Sequence, residues 1–320
     1  MPGNRGCKLQ MLHTKLMSLR FGNPTHREHF IYYPIFDPNS EPPDYLLLEQ
    51  VIASGVAHIE EVSESGSVPE LKFTNNSPRA VLLMDGETLT GAKQNRAINT
   101  TLLAPPNQSM LIPVSCVERG RWSRSQNLRF GTSPQMMPRG MREQRMGDVH
   151  RSMRNGGTMR SNQGAVWSSI DDRMHRLHAT SRTDDMHDLF AGHEGTLDKM
   201  VEGISVEALQ SGFAVCVGDR LIGLELFQHD SVLSTLLGRL LRSYAIDLVG
   251  EAPTDDTPAG SGQSPEAFVQ SLAVREFESF EMVGLGRHLR LNQGSTIASA
   301  LVHEGVLVHL AAFPQGQSAR

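Results

Sequence analysis

Hydrophobic and polar positions along the chain switch repeatedly between a period of two and a period near 3.6, so strands and helices are expected in mixed order. "FIYYPIF" (30–36) reads as a strand, and "VAHIEEV" (56–62) alternates apolar and polar residues as a half-buried strand does. Between them "DYLLLEQVIASG" (44–55) has an acid at an N-cap position after two prolines, a helical body and Gly55 as a stop. Three stretches share one form. "RAVLLMDGETLTG", "GFAVCVGDRLIGLELF" and "IASALVHEGVLVHLAAF" each run from an apolar strand through a glycine-containing turn into a second strand. Hairpins turning at Asp85-Gly86, Gly218-Asp219 and Glu304-Gly305 follow from that form. A further hairpin is expected in "NRAINTTLLAPPNQSMLIPVSCVE", turning at Pro105, Pro106 and Asn107. It places Cys116 opposite Ala97 or Ile98, and Glu118 opposite Asn95 or Arg96.

Helical spacing governs "QGAVWSSIDDRMHRLHATS" (163–181), "TLDKMVEGI" (196–204) and "HDSVLSTLLGRLLRSYAIDLV" (229–249). Ser264 and Pro265 open another helix, as N-cap and first helical residue. "GEAPTDDTPAGSGQS" (250–264) has the composition of a linker. Residues 123–162 show no period and read as a long irregular Arg/Met-rich insertion. They separate a β-rich part carrying polar segments (1–122) from a part of helices and hairpins (163–320) that belongs to the same domain. The fold class expected is α+β, a β-rich core of antiparallel hairpins with several packed helices.

Composition narrows the functional classes. The 320 residues are 39% hydrophobic and 20% charged, which suits a globular chain able to bury a sizeable core. No apolar run approaches the ~20 residues of a membrane span, and "MPGNRGCKLQ" lacks the apolar stretch of a secretion signal. Three scattered cysteines do not make a disulfide framework, so a cytoplasmic setting is expected. The net charge of −5 hides an asymmetry: residues 119–160 hold ten arginines against two acids. Base-stacking aromatics are nearly absent there, so nucleic acid is a poor match and no membrane partner is expected.

The densest chemistry lies in "GETLTGAKQNR" (86–96) and "IPVSCVERGRW" (112–122). Lys93, Arg96 and Arg121 are cations suited to a small phosphate-containing ligand, and Trp122 offers a stacking face. Glu87 or Glu118 is placed to handle a proton, and Cys116 beside arginine has the setting of an activated thiol. Gln94 and Asn95 complete the set of ligand contacts. The competing reading is a salt-bridged patch that merely holds two hairpins in register, and packing is the commoner role of a cysteine. His175, His178, His187 and His193 lie among acids but lack metal-ligand spacing, so they read as a solvated helix surface and no metal is expected. No dinucleotide fingerprint, phosphate loop or nucleophile elbow is present, and the sequence names no cofactor.

The segments "GETLTGAKQNR" and "IPVSCVERGRW", with "QGAVW", "GFAVCVGDRLIGLELF", "LLRSYAIDL" and "LVHLAAF", resemble the ADP-ribosylglycohydrolase- and rhodanese-phosphatase-associated domain family, first type. The resemblance covers most of the chain. It implies a role in ADP-ribose or related nucleotide metabolism, and with the residue chemistry above the expectation is an enzyme of hydrolytic type. By the same resemblance Glu87, Gly91, Lys93, Gln94, Asn95, Arg96, Cys116, Glu118, Arg121 and Trp122 mark the active region. Glu87, Lys93, Cys116 and Glu118 would be its catalytic groups, and Gln94, Asn95, Arg96, Arg121 and Trp122 its ligand contacts. The alternative is a non-catalytic ligand-sensing or self-assembling module, in which exposed hairpin edges make a homo-oligomer.

Overall fold

Three sheets organise the computed structural model, which describes residues 3–63, 67–121, 129–251 and 263–315. Helix α1 (Gly3–Ser18) leads to strands β1 (Arg20–Phe21), β2 (Thr25–His26), β3 (Ile31–Phe36) and β4 (Tyr45–Leu47), then to α2 (Leu48–Ala53). A strand-rich run follows: β5 (Ala57–Glu61), β6 (Glu70–Asn75), β7 (Ala80–Leu83), β8 (Glu87–Gly91), β9 (Arg96–Ile98), β10 (Leu102–Ala104), β11 (Gln108–Cys116) and β12 (Arg129–Met136). Helices α3 (Arg139–Gly156), α4 (Gln163–Arg176), α5 (Asp188–Ala191) and α6 (Glu194–Val201) come next. Strands β13 (Gln210–Val217) and β14 (Arg220–Phe227) precede α7 (Asp230–Ala245) and α8 (Pro265–Ala273). The last strands are β15 (Glu278–Phe280), β16 (Arg287–Gln293), β17 (Thr296–His303) and β18 (Val306–Pro314). The fold class is α+β, as the order of periods requires.

Strands β11-β6-β5-β12-β8-β9 close into a barrel. Its lumen is filled by side chains, among them Ile59, Leu71, Phe73, Leu89, Ile112 and Val114, as expected when so few strands close on themselves. A nine-stranded sheet runs β1-β3-β13-β14-β18-β17-β16-β15, with β2 also on β3. The two hairpins expected late in the chain, β13–β14 and β17–β18, are at its centre. Helix α7 buries Leu233, Leu236, Leu237, Leu240 and Leu241, with its N-cap at His229. Ser264 caps α8 by accepting the Ala267 N–H. Among the described residues no helix is long and apolar enough to cross a membrane.

The earlier turns differ from expectation. Asp85-Gly86 does not make a hairpin: β7 lies between β10 and β4 in a three-stranded sheet, while β8 enters the barrel. The turn is tight, with the Glu87 N–H donating to the Met84 carbonyl, and Gly86 sits at φ +86°. Its role is a corner between sheets, and a Cβ on Gly86 would stand 2.7 Å from Arg142 Cδ. The turn at Pro105–Asn107 likewise joins strands that do not pair, since most of β11 pairs with β6 and β10 with β7. Only the end of β11 reaches β9, in the register Val114↔Ile98, Ser115↔Ala97 and Cys116↔Arg96. Cys116 is therefore one step from its expected partner, although the two polar segments do meet. In "DYLLLEQVIASG" the first residues pair as β4, and α2 occupies only its middle.

The Arg/Met-rich stretch is not irregular where it is described. Residues 129–136 form β12 and 139–156 form α3, which ends at Gly157 in the left-handed region (φ +74°). Apolar periodicity missed α3 because its inward face mixes Met141, Met146, Val149 and Met153 with Arg142 and Arg145. Those arginines are wholly buried because acids from other elements meet them. Residues 252–262 of the linker stretch lie outside the described residues.

Candidate active site

At one end of the barrel, three loops converge: the β8–β9 connection, the segment after β11, and the turn before α5. Asn95 is their common point. Its backbone N–H donates to Glu118 Oε2 (3.0 Å), and its Nδ2 donates to Asp185 Oδ2 (2.8 Å). Its Oδ1 accepts from the Gly91 N–H (3.1 Å) and from Arg121 (3.1 Å). Glu118 and Asp185 face each other across an isolated antiparallel bridge. Two carboxylates from distant sequence are thus held side by side by one residue, Glu118 by the Asn95 backbone and Asp185 by its side chain. Arg121 grips Glu118 with a two-pronged fork, Nε to Oε1 at 2.8 Å and a terminal nitrogen to Oε2 at 2.7 Å. It also donates to the Ala92 carbonyl (2.8 Å), which fixes the β8–β9 loop to the segment after β11.

His187 closes the arrangement. Its Nδ1 lies 2.8 Å from Asp185 Oδ1, and its Nε2 lies 3.0 Å from Thr88 Oγ1. Thr88 spends its only hydroxyl hydrogen on the Gln135 carbonyl (2.6 Å), so its oxygen is left to accept. Both ring nitrogens then face acceptors. Burial pushes the Asp185 carboxyl upward, but hydrogen bonds from His187 and Asn95 and the charge of His187 outweigh it, holding Asp185 below the usual carboxylate range. The side chains of Asp185 (15% exposed), His187 (14%) and Arg121 (28%) reach solvent, whereas Thr88 and Glu118 are sealed. Around this rim Arg119 forks to Asp171 and Asp184, lashing α4 to the turn before α5.

A family model described as ARG and Rhodanese-Phosphatase-superfamily-associated Protein domain matches residues 18–313. The chain belongs to that family. No curated protein and no solved structure matches it. Family membership spans the barrel, the nine-stranded sheet and the converging loops alike, so the site is part of the family's domain and not an appendage to it.

The residues singled out from sequence divide into two sets. Asn95, Glu118 and Arg121 are at the rim. Arg96, Gln94 and Cys116 lie inward: Arg96 is fully buried and donates to Gln94 Oε1 (3.1 Å), which also accepts from the Cys116 thiol (3.1 Å). Burial pushes that thiol up to about 11, with Arg96 only partly opposing, which removes the thiolate that a nucleophile needs at neutral pH. Arg96 also lies 3.9 Å from the buried Glu61 carboxylate. Glu87 accepts from the Met84 N–H (2.8 Å) and from Arg239 (3.1 Å); burial raises its carboxyl and Arg239 counters only in part. It sits at the sheet-switching corner. Lys93 is buried in the same β8–β9 loop as Asn95. Trp122 lies outside the described residues.

Asp185, His187, Thr88 and Gln163 were missed as contributors. Gln163 holds the end of β11 as a strand partner would, its amide accepting the Cys116 N–H and donating to the Cys116 carbonyl, both at 2.9 Å. The "QGAVW" motif carried that signal. His187 and the acids around it read in sequence as solvated helix surface, yet Asp185 and His187 precede α5 in a turn whose Met186 N–H bonds the Val117 carbonyl. Among the described residues no group of three or more His, Cys, Asp or Glu side chains is arranged to hold a metal ion.

Proposed function

We propose that the chain is a hydrolase of nucleotide or ADP-ribose-related metabolism, and that it cleaves a glycosidic bond to ribose at the loop end of the barrel. The observation that carries this reading is the pair Glu118 and Asp185, two carboxylates tied together by Asn95, one sealed and one at the rim. Cleavage of such a bond passes through an oxocarbenium-like state that carries positive charge on the sugar. An ionised Asp185 stabilises that charge and orients the attacking water, and His187 keeps it ionised. Charge supports ribosyl over phosphoryl chemistry. At the rim the Arg121 guanidinium is taken up by Glu118, so among the described rim residues no surplus cation is set against a transferring phosphoryl group. Arg96, Cys116 and Gln94 fix the β9–β11 junction from inside. The family's association with the ARG and rhodanese-phosphatase superfamilies accords with substrates of this class.

The test is turnover of ADP-ribosyl and nicotinamide-ribosyl nucleotides by wild type and Asp185→Asn, followed by chromatography. Turnover should fall by about a hundredfold or more in the variant, the scale of a lost acid–base or electrostatic group. Wild-type turnover in Asp185→Asn, or a wild type that neither binds nor cleaves any ribosyl nucleotide, overturns the proposal.

A further inference from the structure

A second polar core lies where α3 meets the corner at Asp85 and the far sheet, remote in function from the carboxylate pair. Arg142 donates to Asp85 Oδ2 (3.0 Å) and to Glu225 Oε1 (2.6 Å), and Arg145 donates to Asp85 Oδ1. His309 bridges Glu225 Oε2 (2.9 Å) and Thr101 Oγ1 (2.9 Å), and Thr101 also accepts the Asp85 N–H (3.1 Å). Arg290 donates to Thr100 Oγ1 (2.6 Å). All of these side chains are buried. Beside them is a cavity of ≈ 10 Å³ lined by Asp85, Thr100, Thr101, Arg290, Ser299 and His309, with Leu301 and Ala311 as its apolar wall.

Two deficits mark this polar core, and Arg290 carries both to the cavity wall. Arg142 and Arg145 pair with Asp85 and Glu225, whereas Arg290 has no carboxylate within ion-pair distance among the described residues. Donors also outnumber acceptors: Arg290 Nε, Arg145 Nε and Nη1, and Arg142 Nη2 are buried with no acceptor among the described residues, while every carboxylate oxygen of Asp85 and Glu225 is engaged. Burial draws the Arg290 guanidinium down to about 10, Asp85 opposing only in part, which marks a cation incompletely compensated. A buried unpaired charge is among the costliest features a fold can carry, so both deficits call for a negatively charged acceptor. Thr100 accepts from Arg290 and keeps its own hydroxyl hydrogen to give. A water molecule would supply lone pairs but no charge. The cavity admits a single small species and excludes phosphate, sulfate and nucleotides.

We propose that this cavity binds one small monovalent anion of halide size, held by Arg290 and the Thr100 hydroxyl, and that the anion locks the barrel against the nine-stranded sheet. Crystals soaked in sodium bromide test it directly. Anomalous scattering should show bromide in contact with Arg290 and Thr100. In solution, chloride should raise the melting temperature in a saturable way relative to gluconate at equal ionic strength. That response should shrink at least severalfold in Thr100→Val and vanish in Arg290→Met, while sulfate gives none. If Arg290→Met does not fold, Thr100→Val carries the test alone. A cavity without bromide density, or a chloride response in Thr100→Val equal to that of wild type, overturns the proposal. Neither result depends on the hydrolase reading, because no ribosyl substrate is involved.

Discussion

Two clusters of charged side chains, each drawn from distant sequence, behave oppositely in this fold. At the corner, Asp85, Arg142, Arg145 and Glu225 are sealed between α3 and the sheets, and each carboxylate oxygen is spoken for. At the rim, Glu118, Arg121, Asp185 and His187 are just as densely bonded, yet Asp185, His187 and Arg121 remain open to solvent. In the first, charge fixes how layers pack; in the second, it is free to act on something that arrives. Exposure of one member, and not the number of ion pairs, separates a structural network from a candidate catalytic one.

The sharpest break of this comparison comes from Arg142→Met. It leaves Asp85 and Glu225 buried without their shared partner, and stability should fall by about 3–5 kcal/mol in urea denaturation. A loss under about 1 kcal/mol would mean that the corner is wetter than its burial implies. At the rim the expectation reverses. His187→Gln should lower ribosyl-nucleotide turnover by about a hundredfold, because Asp185 loses the partner that keeps it ionised, with stability changed by only ~1 kcal/mol. Unfolding midpoints that drop as far as in Arg142→Met would instead make the rim structural.

Acid should sharpen the contrast next. Burial holds His288 well below its usual pKa, with the charges of Arg290 and His309 adding to it, and holds His150 below its own, with Glu278 opposing. The unfolded chain takes up these protons near pH ~6.5 and the folded chain does not. The stability they contribute is therefore present above pH ~6.5 and declines as pH falls, by about 1.4 kcal/mol per unit for each histidine kept neutral. Asp85 and Glu225, whose carboxyls are lowered because arginine and histidine partners outweigh burial, add a further loss only below ~4. His288→Gln should flatten the slope between pH 6.5 and 5, measured as urea midpoints; an unchanged slope refutes the assignment. The smallest effect belongs to Arg119→Ala. Its pairs with Asp171 and Asp184 are nearly half exposed and screened by solvent, so a change of about 0–1 kcal/mol is expected by the same measurement.

What could be read from the chain follows from locality. The hairpins β13–β14 and β17–β18, the leucine face of α7 and the Ser264 cap depend on neighbours in sequence, and each is where its pattern puts it. The meeting of Asn95 with Glu118 was legible because cross-strand spacing fixes it, even though β10 and β11 do not pair with each other. Helix α3 was not, because its buried face interleaves methionines with arginines that become inward residues only once Asp85 and Glu225 arrive. Asp85-Gly86 has the chemistry of a hairpin turn and serves as a corner, since the partners of β7 come from residues 45–47 and 102–104. Asp185 and His187 look like any solvated acid–histidine pair until the bridge to Glu118 sets them beside Asn95.

The nine-stranded sheet has a consequence for how the chain is made. Strand β3 ends at Phe36, yet its central partner β13 begins only at Gln210. At a synthesis rate of ~5–20 residues per second, "IYYPIF" leaves the ribosome on the order of ten to thirty seconds before the strand that will cover it. The barrel strands β5, β6, β8, β9 and β11 all emerge within that interval, but they belong to a different sheet, so β3, paired with β1 and β2 along one edge, keeps its other edge open. A sticky early edge waiting on a late partner is a natural client for a holding chaperone, and it places the slow step of this molecule's birth far from its chemistry.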